Sequence, residues 1–389
     1  MSTFTASPAP PNTYIFDASD KIPFSYIFAY TDKLYLSFLN GEKRSYKFSI
    51  YVSDDDINYT PVIVEKSSSG KTNLLEAIWL FTGAKSFRSS KDNMLLKFGS
   101  EKSECSIKFK SDGIENDAKI EIKEKRTAFF NENKLKSPHL LAGKFNAIVF
   151  SPTDLSLVSS GPNIRRKFLD TAIGQIYPAY IGIIKNYVRA VTQRNKIIKD
   201  FKYDASLSVM LDVFEEEIAT NGQKIIDFRK RYVDLITNFL PSIYSGISNG
   251  KEILETEYLK SCESNNLLEN LKISRKEDMF SGVTSIGPHR DDLEFKINGI
   301  SARNFGSQGQ KRGVALSVKL AEAEVIKNKI GECPVILLDD VMSELDPQRQ
   351  DFVLNHIKGM QSFLTCCDES NIKNLIAGKK FIIKNGSVV

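Results

Sequence analysis

Apolar and polar positions change rhythm repeatedly along this chain, and each change marks a different kind of element. Between Tyr14 and Tyr51 they alternate in short aromatic-rich runs, Phe24-Ser25-Tyr26-Ile27-Phe28 and Leu34-Tyr35-Leu36-Ser37-Phe38. These predict strands, broken by turn signals at Asn40-Gly41 and Asp54-Asp55-Asp56. Val62-Ile63-Val64 predicts a further strand, and after the loop Ser67-Ser68-Ser69-Gly70-Lys71-Thr72 the residues Leu74, Leu75, Ile78 and Trp79 recur at helical spacing. Alternation returns at Ile107-Lys108-Phe109 and Ile120-Glu121-Ile122 and closes on Ala147-Ile148-Val149-Phe150. From Ile164 to about Leu240 the period lengthens. Phe168, Ala172 and Ile176, then Phe214, Ile218, Ile225, Phe228 and Tyr232, predict long helices too irregular for a sustained coiled coil. Asp292 to Ile297, the turn Asn298-Gly299 and Ile300 to Arg303 predict a β-hairpin with a two-residue primed turn. The expected organisation is an α/β head in two parts, 14–160 and 284–389, interrupted by a helical lobe over 161–283. A disordered tail over 1–13, carrying Pro8, Pro10 and Pro11, precedes it.

The loop between the strand at Val62-Ile63-Val64 and its helix is where chemistry enters. Successive backbone N–H groups at such a strand–loop–helix junction wrap phosphates, a lysine reaches the outer phosphates, and a hydroxyl holds Mg²⁺. Ser69, Gly70, Lys71, Thr72 and Asn73 are the candidates for that work, with Lys71 and Thr72 in the charged and metal-facing roles. The usual spacing wants glycine where this chain has Glu65, and Lys66 leads a serine-rich interior. A carboxylate at that place repels a polyphosphate, so Glu65 is expected to weaken nucleotide binding. Near the other end, Phe305-Gly306-Ser307-Gln308-Gly309-Gln310 opens a helix expected over about 308–328, roughly 30 Å long at 1.5 Å per residue. Ser307 and Gln310 have the spacing of a capping box, which structure alone explains. Gly306 and Gly309 exceed that need, since they clear a path for a ligand to the backbone. With Ser307 so far from the chain's own Asp339, the signature is expected to meet the nucleotide of a second protomer. The apolar run Val335-Ile336-Leu337-Leu338 ends in Asp339-Asp340, followed by Ser343-Glu344-Leu345-Asp346. Asp339 is the expected Mg²⁺ ligand, Asp340 the residue that orients or deprotonates an attacking water, and Asp346 a nucleotide-side residue at a dimer interface.

Composition narrows the remaining choices. With 389 residues and 41% hydrophobic content the chain can bury a sizeable core, and no stretch of it has the length and apolarity of a membrane span. Five scattered cysteines without metal-ligand spacing point to a reducing, cytoplasmic compartment. A net charge of +5 permits nucleic-acid binding without requiring it. The clusters Arg165-Arg166-Lys167 and Arg229-Lys230-Arg231 are candidates to contact DNA phosphates, the alternative being solvated helix faces. Gly287-Pro288-His289-Arg290-Asp291-Asp292 is expected to form a salt-bridged turn at the lobe junction rather than a catalytic site.

Taken together these blocks resemble the bacterial RecF family of DNA replication and repair proteins. The resemblance rests on Gly70 through Ile78, Phe150 through Leu155, Gly161-Pro162 with Arg165 through Asp170, Gly287 through Leu293, Phe305 through Arg312 and Leu337 through Asp346. It implies an ABC-type ATPase head of P-loop type, related to those of SMC and Rad50 proteins, with an inserted helical lobe. It further implies ATP and Mg²⁺ as cofactors, an ATP-dependent homodimer with slow hydrolysis, and binding to duplex or gapped DNA. Partners of the RecR and RecO type, and a place in gap repair and the SOS response, follow from the resemblance alone. The alternative is a DNA-bridging protein whose altered phosphate loop no longer hydrolyses nucleotide.

Overall fold

The computed structural model describes residues 14–15, 24–29, 34–41, 45–52, 62–64, 70–88, 91–96, 100–200, 208–366, 380–384 and 387–388, before 70 and after 366 by backbone alone. The tail 1–13 and the loop residues Glu65, Lys66 and Ser69 lie outside the described residues. The chain divides into two compact units, Met1–Ser151 with Glu332–Val389, and Pro152–Gly331.

Two sheets build the first unit. One runs in the order Ala147–Phe150, Val335–Asp339, Ser362–Cys366, Val62–Val64, Lys380–Lys384 and Ser387–Val388, and is parallel except for its last pair. Ala147–Phe150, Val335–Asp339 and Ser362–Cys366 are buried at every position, as expected of parallel strands covered on both faces. The other sheet carries Phe24–Ala29, Leu34–Gly41, Ser45–Val52, Lys102–Ser111, Ile114–Ile122 and Arg126–Phe130 in order, with the short pieces Tyr14–Ile15 and Asn133–Lys134 at its two edges. Its one parallel pair among the described residues joins Ser45–Val52 to Lys102–Ser111. Between the sheets lies the helix Lys71–Leu80. Leu74, Leu75, Ala77, Ile78, Trp79 and Leu80 all enter one core with Val149 and Leu337 of the first sheet and Ile107 and Ile120 of the second. A helix apolar all round has to be buried on both sides, and this one is.

The second unit packs the helices Pro162–Ile176, Ala179–Asp200, Ser208–Thr237, Leu240–Ser248 and Gln308–Ile330 around a small antiparallel sheet. The expected hairpin is present: Ile297 faces Ile300 across Asn298 and Gly299, whose φ values of 50° and 77° are those of a primed turn. Its second strand stops at Ser301, and Ala302–Phe305 is a short helix. The strand Leu254–Leu259 was not anticipated within the helical lobe; it pairs with Asp292–Ile297, beyond residue 283. That pairing carries the compact unit past residue 283, and the unit runs on to Gly331 because the helix Gln308–Ile330 packs on Leu240–Ser248. Among the described residues no helix is long and apolar enough to cross a membrane.

Candidate functional site

In the first unit, Gly70 begins the helix Lys71–Leu80 with φ 127° and ψ −10°, a conformation open to glycine and strained for other residues. The turn delivers Lys71 and Thr72 to the ends of two neighbouring strands. The buried Lys71 ammonium donates to the carbonyl of Cys366 at 3.0 Å. Thr72 Oγ1 donates to Asp339 Oδ1 at 2.8 Å. Asp339 ends its strand and also accepts from Thr365 Oγ1 at 3.0 Å. Burial pushes the Asp339 carboxyl above its ordinary value, opposed by the hydrogen bonds from Thr72 and Thr365 and by the nearby charge of Arg88.

Adjacent side chains on a strand point to opposite faces, so two carboxylates in one site require the strand to stop between them. It does stop there. Asp340 has φ 53°, its N–H donates to Thr365 Oγ1 at 3.0 Å, and Ser343 Oγ donates to its carbonyl at 2.7 Å and to Oδ1 at 3.3 Å. Asp346 caps the helix Pro347–His356, accepting from the Arg349 N–H at 3.0 Å. Gly70, Lys71, Thr72, Asp339 and Asp340 are thus brought together. Asn73 stands on the exposed side of the helix start, where its Oδ1 accepts from Arg88 Nη1 at 2.6 Å.

The donor set suits magnesium. A hydroxyl and a carboxylate oxygen lie side by side, and Mg²⁺ takes one or two carboxylates together with phosphate and water rather than an all-protein cage. Among the described residues there is no cluster of three or more His, Cys, Asp or Glu side chains able to hold a metal.

Two residues at this site escaped the sequence reading. Thr365 bridges both aspartates through one hydroxyl. Arg88, half exposed, is held at 3.6 Å from the buried Glu76, which also accepts from Ser86 Oγ, and its charge reaches Asp339. Neither belongs to a motif; the only signal was an arginine shortly after the helix that follows Gly70-Lys71-Thr72.

In the second unit, the capping box at the start of Gln308–Ile330 is complete. Ser307 Oγ accepts from the Gln310 N–H at 3.2 Å, and Gln310 Oε1 accepts from the Ser307 N–H at 2.7 Å. Gly309 lies in the first turn. Gly306 has a reason within the chain as well: a Cβ there would stand 2.5 Å from the Ala302 carbonyl oxygen. Gln310 is also tied within the unit: its Nε2 donates to Glu252 Oε1 at 2.7 Å.

The basic clusters are corrected in part. Arg165 is 2% exposed and forms a fork on Asp292, at 2.6 and 2.9 Å, while also donating to the carbonyls of Leu157 and Ser160. Arg229 is 3% exposed and forks on Asp170 at 3.0 Å twice, with a further bond to the Pro288 carbonyl at 2.6 Å. Both are internal ties and leave the DNA-facing set. Arg166 is half-buried and bonded to the Asp291 carbonyl and Asn163, whereas Lys167, Lys230 and Arg231 are exposed. His289 is a structural residue. Its Nε2 lies 3.0 Å from the Thr284 carbonyl and its Nδ1 2.6 Å from the Tyr187 hydroxyl, so the ring donates to the first and accepts from the second. Burial lowers its pKa accordingly.

No family model matches the chain. Curated proteins do. It is 35% identical over 352 residues to the DNA replication and repair protein RecF of Lachnospira eligens, covering 89% of this chain and 96% of that protein. It is 36% identical over 367 residues to the RecF protein of a Bacillus cereus strain, covering 90% and 96%. Among solved structures, the recombination mediator protein RecF-ATP in the RecFOR pathway superposes with a TM-score of 0.77 at 34% identity, covering 85% of this chain and 91% of that one. The corresponding RecF-ATPrS structure gives 0.76 at 36% identity over the same shares. The likeness extends to the α/β architecture of an ABC-type ATPase head. With relatives this similar over nearly the whole of both chains, this chain belongs to the RecF family of DNA replication and repair proteins.

Proposed function

We propose that this chain is an ATP-switched DNA-binding protein of replication and recombinational gap repair. The observation that supports the reading is the 2.8 Å bond between Thr72 Oγ1 and Asp339 Oδ1 beside the Gly70 turn, a hydroxyl and a carboxylate side by side that would together hold a nucleotide's metal. Lys71 would leave the Cys366 carbonyl for the β- and γ-phosphates, and the backbone N–H groups at the helix start would hold phosphate oxygens. Magnesium, held by Thr72 and Asp339, would neutralise phosphate charge. Asp340, steadied by Thr365 and Ser343, would orient the attacking water and accept its proton, giving slow hydrolysis suited to a switch. Ser307 of a second copy would complete the nucleotide site, so ATP drives a symmetric dimer with Asp346 near its interface.

Of the two basic clusters, the exposed Lys167, Lys230 and Arg231 remain to meet duplex or gapped DNA. The solved relatives are described as belonging to the RecFOR pathway, which supports partners of the RecO and RecR type; a role in the SOS response and a cytoplasmic place are proposed from family membership alone.

Sedimentation and retention on gapped duplex across a salt series, with and without ATP, test the proposal. The wild type should dimerise and hold DNA with ATP, Asp340→Asn should prolong that state, and Ser307→Arg should abolish the dimer. Equal DNA retention with and without ATP would instead favour the passive, non-hydrolysing bridge.

A further inference from the structure

The first turn of the helix Gln308–Ile330 is not held by its own capping box alone. Gln310 spends its amide oxygen on the Ser307 N–H and its amide nitrogen on Glu252 Oε1, at 2.7 Å each. The other oxygen of Glu252 accepts from the Tyr244 hydroxyl at 2.6 Å, and Tyr244 is 1% exposed. Tyr244 sits on the helix Leu240–Ser248, which comes so close to Gln308–Ile330 that a Cβ on Gly313 would stand 3.2 Å from Ile247 and 3.3 Å from Tyr244. The chain then reverses through left-handed Asn249 and Gly250 and returns Glu252 toward Gln310.

An amide is nearly symmetric in shape, so something has to decide which end faces Ser307. An ionised carboxylate only accepts hydrogen bonds. Glu252 therefore draws the Gln310 NH₂ toward itself and leaves Oε1 for the Ser307 N–H. Ser307 Oγ in turn accepts from the Gln310 N–H at 3.2 Å, which spends a lone pair and turns its proton outward. Were the Gln310 amide reversed, its NH₂ would face the Ser307 N–H, donor against donor, and the cap would open.

We infer that Glu252, backed by Tyr244, is the positioning residue of the signature turn: it fixes the amide of Gln310 and through it the Ser307 hydroxyl that is offered to a partner's phosphate. Gln310 on this view orients rather than binds. The inference rests on the trans-acting signature proposed above, and the experiment separates the two.

The full-length chain, Glu252→Ala, Glu252→Gln and Tyr244→Phe are compared in three measurements: binding of ATP to the monomer, ATP-dependent self-association by sedimentation velocity, and amide hydrogen exchange over 306–311 without nucleotide. Circular dichroism melting confirms that each variant folds. Glu252→Ala should bind ATP as the wild type does, associate roughly tenfold more weakly, equivalent to about 1.4 kcal/mol, and exchange its Ser307 and Gln310 amides at least about tenfold faster. Glu252→Gln still presents an oxygen to Gln310 and should recover association to within about twofold; Tyr244→Phe should fall between. A folded Glu252→Ala protein with wild-type association and wild-type exchange overturns the inference, and so does a Glu252→Gln protein as impaired as the alanine variant. If the wild type binds ATP yet never associates, the trans-acting signature falls, while the exchange rates still decide whether Glu252 holds the turn.

Discussion

Replacing Thr365 by valine tests how the two aspartates at the end of Val335–Asp339 are held. Valine keeps the branched shape and removes one hydroxyl. That hydroxyl accepts from the Asp340 N–H at 3.0 Å and donates to Asp339 Oδ1 at 3.0 Å, so both bonds go at once. A part-buried N–H left without an acceptor costs about 1–3 kcal/mol, and a lost bond to a charged group about 1.5–3 kcal/mol. The second loss is softened because Thr72 still donates to the same oxygen. We expect about 2–4 kcal/mol of destabilisation in the first unit, on top of the strain Asp340 already carries at φ 53°. Trp79 is the chain's single tryptophan and lies in that unit's core, so its fluorescence during urea unfolding reads the first unit. With a slope of about 2–3 kcal/mol per molar, the midpoint should fall by about 1 M. ATP should still bind, and hydrolysis should drop at least about tenfold because Asp340 loses the bond that fixes its backbone. Thr365→Ser keeps the hydroxyl and should restore most of both effects. A midpoint within about 0.2 M of the wild type, with hydrolysis intact, would refute the claim that this hydroxyl positions the pair.

Three further outcomes are expected. Burial raises the Asp339 pKa, so the folded unit binds that proton more tightly than the unfolded chain; the stability this brings is fully present below the unfolded value and is lost as pH rises through the folded one. Asp339→Asn should therefore raise the Trp79 urea midpoint more at pH 8 than at pH 4, while Mg-dependent ATP binding disappears; a pH-independent gap would contradict this. Lys71→Ala should abolish or greatly weaken ATP binding by titration calorimetry, since it deletes the buried cation beside the Gly70 turn, and unchanged affinity would sink the phosphate-loop assignment. Arg229→Ala leaves Asp170 with only the Tyr180 hydroxyl as a donor among the described residues and should cost the second unit about 2–4 kcal/mol in thermal melts. Lys230→Ala should leave stability within about 0.5 kcal/mol and lower the salt slope of DNA retention by about one; equal destabilisation by the two would undo the division into internal and DNA-facing cations.

What could be read from the chain alone was what depends on near neighbours. The Asn298-Gly299 turn, the Ser307–Gln310 capping box and the helix after Gly70 each draw on a few adjacent residues, and each formed where its pattern lay. The roles of Arg165 and Arg229 were not legible, because their carboxylate partners stand 127 and 59 positions away. A run of like charges on a helix looks the same whether a distant aspartate buries one of them or not. Thr365 was hidden for the same reason, being an ordinary strand threonine until Val335–Asp339 pairs beside it. Leu254–Leu259 was missed because its alternation, LETEYL, is one third acidic and takes its meaning from the strand it meets near residue 295.

The strand order of the first sheet bears on how the molecule comes into being. Val62–Val64, which leads to the Gly70 turn, is flanked on one side by Ser362–Cys366 and on the other by Lys380–Lys384. During translation both neighbours are made after Pro152–Gly331. At about 5–20 residues per second this strand stays unpaired on the ribosome for tens of seconds, its edges open to any other strand that passes. Pro152–Gly331 is one continuous segment and has all its partners by the time residue 331 emerges. The half that carries Ser307 can therefore be finished while the half that carries Lys71 is still waiting. A nascent chain stopped between residues 331 and 362 would then carry the Ser307 turn before the neighbours of Val62–Val64 exist, so any nucleotide binding at Gly70 would wait on residues 362–384.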